Sequence, residues 1–163
     1  MEALAAWQGE AFARADGVRV LAPDHLHVTL AFLGSRPADE RGPIAAALHE
    51  AAGVADSPRF VFRRYRETRS VGMLVLDDEE GRGAAIAAAL HERLERLGVY
   101  EPERRPWLAH VTVVRFRRRP QLAPALPELP PFSPSEAALY HSLLRPTGAQ
   151  YEVLDTVALG MRR

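Results

Sequence analysis

The sequence predicts an α+β fold built on antiparallel sheets. Three observations carry that expectation. Stretches with helical spacing alternate with stretches of strand character along the chain. Hairpin signals recur, which favours antiparallel pairing over a doubly wound parallel sheet. A short strand-like pattern, His27-Val28-Thr29-Leu30, returns far downstream as His110-Val111-Thr112-Val113. In an extended strand alternate side chains share a face, so each copy presents an imidazole and a hydroxyl on one side and apolar packing on the other.

Taken in order, Leu4, Trp7, Ala11, Phe12 and Ala15 recur at helical spacing, and Gly17 closes the run. Val18 to Leu21 is a short strand stopped by Pro23-Asp24. The first motif follows on a strand from Leu26 to Leu33, ended by Gly34. Pro37, Asp39 and Glu40 open a helix where orphan amides and the dipole favour them, and it runs through Ile44 and Leu48 to Gly53. Arg59 to Tyr65 and Val71 to Leu76 are strands joined by a turn, and Asp77 to Gly81 is a solvated turn. Ala84 to Leu97 is the clearest helix, with Ile86, Leu90, Leu94 and Leu97 on one face and Gly98 as its C-terminal cap. The second motif lies on a strand from Ala109 to Phe116. Six prolines between Pro120 and Pro134 exclude a long helix or a central strand there, leaving an extended connector. Glu136 to Leu144 and Tyr151 to Leu159 form a terminal hairpin around Pro146-Thr147-Gly148. One motif strand in each half of the chain suggests a duplication with a pseudo-twofold arrangement.

At 163 residues, 47% apolar and 26% charged, the chain has the make-up of one well-buried globular domain or two packed lobes. Its formal net charge is zero, so any contact with nucleic acid has to come from a local patch rather than a global field. There is no cysteine, which excludes disulfides, thiolate nucleophiles and thiolate-bound zinc. All 21 basic residues are arginine, so a lysine Schiff base is excluded, and the surface is rich in groups that grip phosphate with two hydrogen bonds. No apolar run approaches the roughly 20 residues of a membrane span. No secretory signal opens the chain, so the cytoplasm is the expected compartment and no membrane partner is expected.

Paired imidazoles and hydroxyls facing one cleft suit proton transfer and the holding of an oxyanion. Histidine titrates near working pH and serves as acid or base. The sequence does not choose which of His27 and His110 is the acid. Histidine clusters also serve metals. His25, His27 and His110 offer three metal ligands, but no carboxylate accompanies either motif and the threonines would then lack a purpose. His49 and His91 fall on helices as surface positions. His141 is equally open to a cleft or a packing role. Trp107 fits core packing or base stacking. The groups Arg63-Arg64, Arg66 and Arg117 to Arg119 read first as solvated faces, and second as a surface tracking RNA.

Two stretches carry a family resemblance: His27-Val28-Thr29-Leu30-Ala31-Phe32-Leu33-Gly34 and Pro106-Trp107-Leu108-Ala109-His110-Val111-Thr112-Val113-Val114-Arg115. They resemble the paired His-x-Thr-x signatures of the two-histidine (2H) phosphoesterases. Within that superfamily the chain is similar to the RNA 2′,3′-cyclic phosphodiesterase branch, also called 2′–5′ RNA ligase. Leu139 to Leu143 with Gly148, Tyr151 and Leu154 is similar to that branch too, so the resemblance spans nearly the whole chain. It implies a single domain over 1–163 with two pseudo-symmetric lobes, each bearing an antiparallel sheet with flanking helices, around a central cleft.

The resemblance further implies metal-independent opening of RNA or nucleotide 2′,3′-cyclic phosphates to 2′-phosphomonoesters, in some members with reversible 2′–5′ ligation. It implies no cofactor and no obligate protein partner. It assigns His27 as acid and His110 as base, with Thr29 and Thr112 holding the phosphate. Arg36 and Arg115 match common family positions. On a regular strand Arg115 would face away from His110, so it reaches the phosphate only through a bulge or at the strand end. Family members usually begin with an apolar strand before the first helix, and here Met1 opens directly on the helix: either the true start lies upstream or the strand is lacking, and a lacking strand would expose a sheet edge. The alternatives are a small-molecule cyclic phosphodiesterase, for example on a cyclic ADP-ribose phosphate, and a non-catalytic module that binds RNA ends.

Overall fold

The computed structural model describes residues 2–145 and 148–160. The chain divides into two compact units. The first comprises the chain up to Thr29, Phe60–Asp78 and Leu108–Phe132; the second comprises the remainder.

In the first unit, helix α1 spans Glu2–Ala11 and strand β1 spans Val18–Val20. Strands β2 (Arg59–Glu67), β3 (Val71–Glu79) and β4 (His110–Phe116) complete a sheet of order β1-β4-β3-β2. β4 is antiparallel to both its neighbours. Helix α1 lies against the β1–β4 edge. The Gln8 side chain is buried and donates to the carbonyls of Val113 (2.9 Å) and Leu21 (3.3 Å). A buried amide so satisfied pins helix to sheet at little net cost. The Phe12 ring meets Tyr65 at 5.9 Å between centroids.

Glu67 forms the unit's polar knot. Its carboxylate is buried and accepts from Arg119 Nε (3.1 Å), from the backbone amides of Gln121 (3.0 Å) and Leu122 (2.8 Å), and from the Tyr65 hydroxyl (3.2 Å). Four donors offset the loss of water around a buried charge. They also fix where the proline-rich connector begins. The connector is extended, as its prolines require, and is held by the Trp7 indole on the Ala125 carbonyl (2.9 Å) and by a bridge between Phe132 and Phe60.

In the second unit, helices α2 (Arg41–Ala52) and α3 (Arg82–Arg96) share a core of Ile44, Leu48, Ala51, Leu90 and Leu94. Strands β5 (Glu136–Arg145) and β6 (Gly148–Ala158) pair antiparallel, and Ala137 adds to the same core. Gly98 caps α3 in the left-handed region at φ 71°, as its place after the helix predicts. Arg93 Nε reaches Glu50 at 2.9 Å and ties α3 to α2.

Four expectations need correction. The first helix ends at Ala11 rather than running to Gly17. Asp77 to Glu79 continue β3 instead of turning. His91 is half-buried, stacked on Tyr100 at 4.7 Å, with Nε2 donating to the Leu30 carbonyl (2.7 Å). The stretch Leu26 to Leu33 is not a strand, because its backbone polar groups go elsewhere. His91 takes the Leu30 carbonyl, Arg36 Nε takes that of Leu33 (3.1 Å), and Leu30, Ala31 and Leu33 pack on the helical core. Of the hairpin turn, Pro146 and Thr147 lie outside the described residues. Among the described residues no helix is long and apolar enough to cross a membrane.

Candidate active site

The site follows from register. Val28 forms an isolated antiparallel bridge with Val111 inside the first unit. One step either way from that bridge sets Thr29 opposite His110, and His27 opposite Thr112. Directly opposed residues project to the same face. Both imidazoles and both threonines therefore share one face, each histidine beside the other motif's threonine.

Arg115 joins that face through an irregularity. The β3–β4 register pairs Gly72 with Val114 but Met73 with Thr112, leaving Val113 as an extra residue on β4. Such a bulge shifts the alternation of side chains by one. Val111, Val113, Val114 and Phe116 are buried, whereas His110 and Thr112 are half-buried and Arg115 is exposed. His110, Thr112 and Arg115 thus line up on the side away from the valines. Gly72 makes room for this packing. A Cβ there would fall 2.1 Å from the Tyr65 hydroxyl oxygen and 2.7 Å from Val114 Cγ2.

The two histidines are held alike. His27 Nδ1 lies 2.7 Å from the His25 carbonyl oxygen, and His110 Nδ1 lies 2.8 Å from that of Leu108. A carbonyl oxygen only accepts, so each Nδ1 carries a hydrogen and the proton-exchanging atom of each ring is Nε2. These carbonyls, two residues before each histidine, are the site groups that sequence reasoning missed. Backbone acceptors leave no mark on residue type. The signal that does exist is Gly72, a glycine inside a strand pattern, which marks a bulge.

His27 is exposed by surface area, yet enough protein crowds it to lower its pKa below the ordinary 6.5. Desolvation is the main cause, opposed by the bond to the His25 carbonyl and reinforced by the positive charges of His110, His25 and Arg115.

His25 stays beside His27, in the short 3-10 turn Pro23–His25 and 4.0 Å from Asp24. His49 pairs with Asp155 (3.4 Å) and His141 with Glu152 (3.8 Å), both at exposed positions of the second unit. Trp107 also belongs to the second unit, as does Arg36, which pairs with Glu40 at 3.9 Å. Arg63 pairs with Asp77 (3.4 Å), as a solvated face does. Among the described residues no three His, Asp or Glu side chains converge as metal ligands.

The model of the 2′-5′ RNA ligase superfamily matches residues 2–143. The chain belongs to that superfamily. Its members are ligases and phosphoesterases, and this sets the general reaction class. Among solved structures, TT0787 of Thermus thermophilus is 27% identical, over 99% of this chain and 95% of that one, with a TM-score of 0.81. Escherichia coli LigT complexed with NADP+ is 22% identical, over 98% of this chain and 90% of that one, with a TM-score of 0.75. LigT complexed with 3′-AMP is 20% identical, with the same coverage and TM-score. This chain therefore has the mixed helix and antiparallel-sheet fold of the 2′-5′ RNA ligase superfamily. None of the curated proteins matches it.

Proposed function

We propose that this chain is a metal-independent phosphodiesterase that opens RNA or nucleotide 2′,3′-cyclic phosphates to 2′-phosphomonoesters, acting in the cytoplasm as one catalytic domain over 1–163. The observation that carries the reading is the Val28–Val111 bridge, which sets two imidazoles and two threonines on one face. The solved LigT complexes with 3′-AMP, ATP and phosphate support a nucleotide or phosphate ligand for this fold.

In the proposed reaction His110 Nε2 takes a proton from water, whose oxygen attacks phosphorus. The bond from phosphorus to the ribose 3′ oxygen breaks, and His27 Nε2 gives that oxygen its proton. The 2′ ester remains. Thr29 and Thr112 donate to the non-bridging oxygens, and Arg115 neutralises the charge that gathers on them. With a 5′-hydroxyl in place of water the same sequence leaves a 2′–5′ diester, which is ligation; in its reversal the 3′-hydroxyl attacks phosphorus, the 5′ oxygen leaves, and the two imidazoles trade roles. His27 rests with a lowered pKa, so its acid role depends on the bound phosphate anion to restore its proton.

The test is product analysis from 2′,3′-cyclic AMP with a chelator present. The expected product is 2′-AMP alone. Intact 2′,3′-cyclic AMP together with an intact RNA end bearing the cyclic phosphate makes the chain a binding module. Turnover restricted to a small cyclic diester without a nucleobase makes it a small-molecule phosphodiesterase.

A further inference from the structure

Arg19 is the counterpart of Arg115 across the β1–β4 pairing. Directly opposed residues share a face, and the bulge has already put Arg115 on the face of the two histidines. Arg19 therefore projects from that same face at the sheet edge, beyond Arg115 as seen from β3. Two like charges set directly opposite one another on an antiparallel pair are destabilising. Neither guanidinium has an ion pair or hydrogen bond to a carboxylate among the described residues, and both are exposed. In a chain of zero net charge, an unneutralised guanidinium pair beside a phosphate-handling face is a place built to receive anions.

We propose that Arg19 binds the phosphodiester next to the reacting one, so that an RNA strand ending in a cyclic phosphate is turned over in preference to a free mononucleotide. The proposal rests on the reading of His27 and His110 given above. The reacting phosphate lies by His27, His110 and Arg115. The strand leaves over the β1 edge, where the next phosphate meets Arg19. Guanidinium groups suit this because they hold phosphate by two parallel hydrogen bonds.

The experiment compares wild type with Arg19→Ala and Arg19→Lys on 2′,3′-cyclic AMP and on a four-nucleotide RNA ending in a 2′,3′-cyclic phosphate. In Arg19→Ala the ratio of kcat/KM for the strand to kcat/KM for the mononucleotide is expected to fall about tenfold or more. Its salt dependence on the strand should weaken by a slope of about 0.7, the loss of one single-strand phosphate contact. Arg19→Lys should recover part of the ratio. The thermal midpoint of Arg19→Ala should hold or rise, because a like-charge pair is relieved; a merely structural arginine would lower it. An unchanged ratio overturns the proposal. If wild type hydrolyses neither substrate, the phosphodiesterase reading fails by itself. Arg19 is then judged by anisotropy of a fluorescent four-nucleotide RNA with a 3′-phosphate, where undiminished affinity in Arg19→Ala overturns it and a selective loss supports it.

Discussion

The second His-x-Thr motif rides on β4, a strand paired to β3 on one side and met by Val28 on the other, whereas the first meets the sheet through an isolated bridge at Val28. Around His27 the chain comes out of a 3-10 turn and goes on into coil, so no ladder sets the direction of its side chains. Yet both rings end with Nδ1 on the carbonyl two residues back, at 2.7 and 2.8 Å. The difference teaches that fixing an imidazole on this face takes less than secondary structure. One bridge supplies register, and one carbonyl supplies the tautomer and ring orientation. A regular strand supplies both as by-products; the irregular segment has each of them separately.

The largest expected effect tests whether the two unlike settings yield equal partners. His27→Ala and His110→Ala should each lower kcat on a 2′,3′-cyclic nucleotide by roughly 10²–10⁴-fold, the range of a lost general acid or base. Their double variant should lose little beyond the worse single one, since the two rings act as a unit. Circular dichroism should show both single variants folded, because His27 is exposed and His110 half-buried. Full activity in either would end the paired-imidazole account, and strict additivity of the two losses would mean that the rings work independently.

Much of the first unit was legible because its elements are local. β4 announces itself by apolar alternation, and the connector by its prolines. The extra residue at Val113 breaks that alternation, and only pairing to β3 reveals which valine is the spare one. Arg115 thus looks turned away from His110 in sequence alone, whereas the bulge turns it to the His110 side of the strand. The first motif misleads in the opposite sense. Leu30, Ala31 and Leu33 have the composition of a strand, but a strand also needs carbonyls free to pair. His91, sixty-one residues away, takes one of them. No local pattern contains that information. In the second unit α3 and its Gly98 cap were readable because helix spacing and capping involve neighbours in sequence.

The middle-sized effect strikes the β4 side of the comparison alone. Gly72→Ala puts a methyl 2.7 Å from Val114 Cγ2 and 2.1 Å from the Tyr65 hydroxyl. Overpacking of this kind costs about 1–3 kcal/mol, and a chain of this size loses about 2–4 °C of thermal midpoint per kcal/mol. Relief at Val114 requires the bulge to shift, which moves Arg115. KM should therefore rise several-fold while the pH profile, set by the imidazoles, stays in place. Adding Tyr65→Phe removes the nearer clash and should recover part of the midpoint. An unaltered midpoint in Gly72→Ala would mean that the bulge does not depend on the missing side chain.

The smallest effect distinguishes the two rings electrostatically. Desolvation and three positive neighbours lower the pKa of His27, so in the free protein its imidazole titrates below 6.5. A phosphate anion beside it favours the imidazolium and raises that value. NMR titration of the ring Cε1 proton should show a low pKa without ligand and an upward shift with saturating 2′-AMP. His110→Gln removes one of the neighbouring charges and leaves the His27 step to be read by itself. For folding, the sign is that of a depressed group. The folded chain protonates His27 at lower pH than the unfolded chain does. Its stabilising contribution is complete above 6.5 and is lost as pH falls through the folded value. His27→Gln should flatten that limb of the stability profile. An upward shift on ligand binding fits His27 as the acid. A value that stays low with 2′-AMP bound reverses the assignment, making the irregular segment the home of the base and β4 the home of the acid.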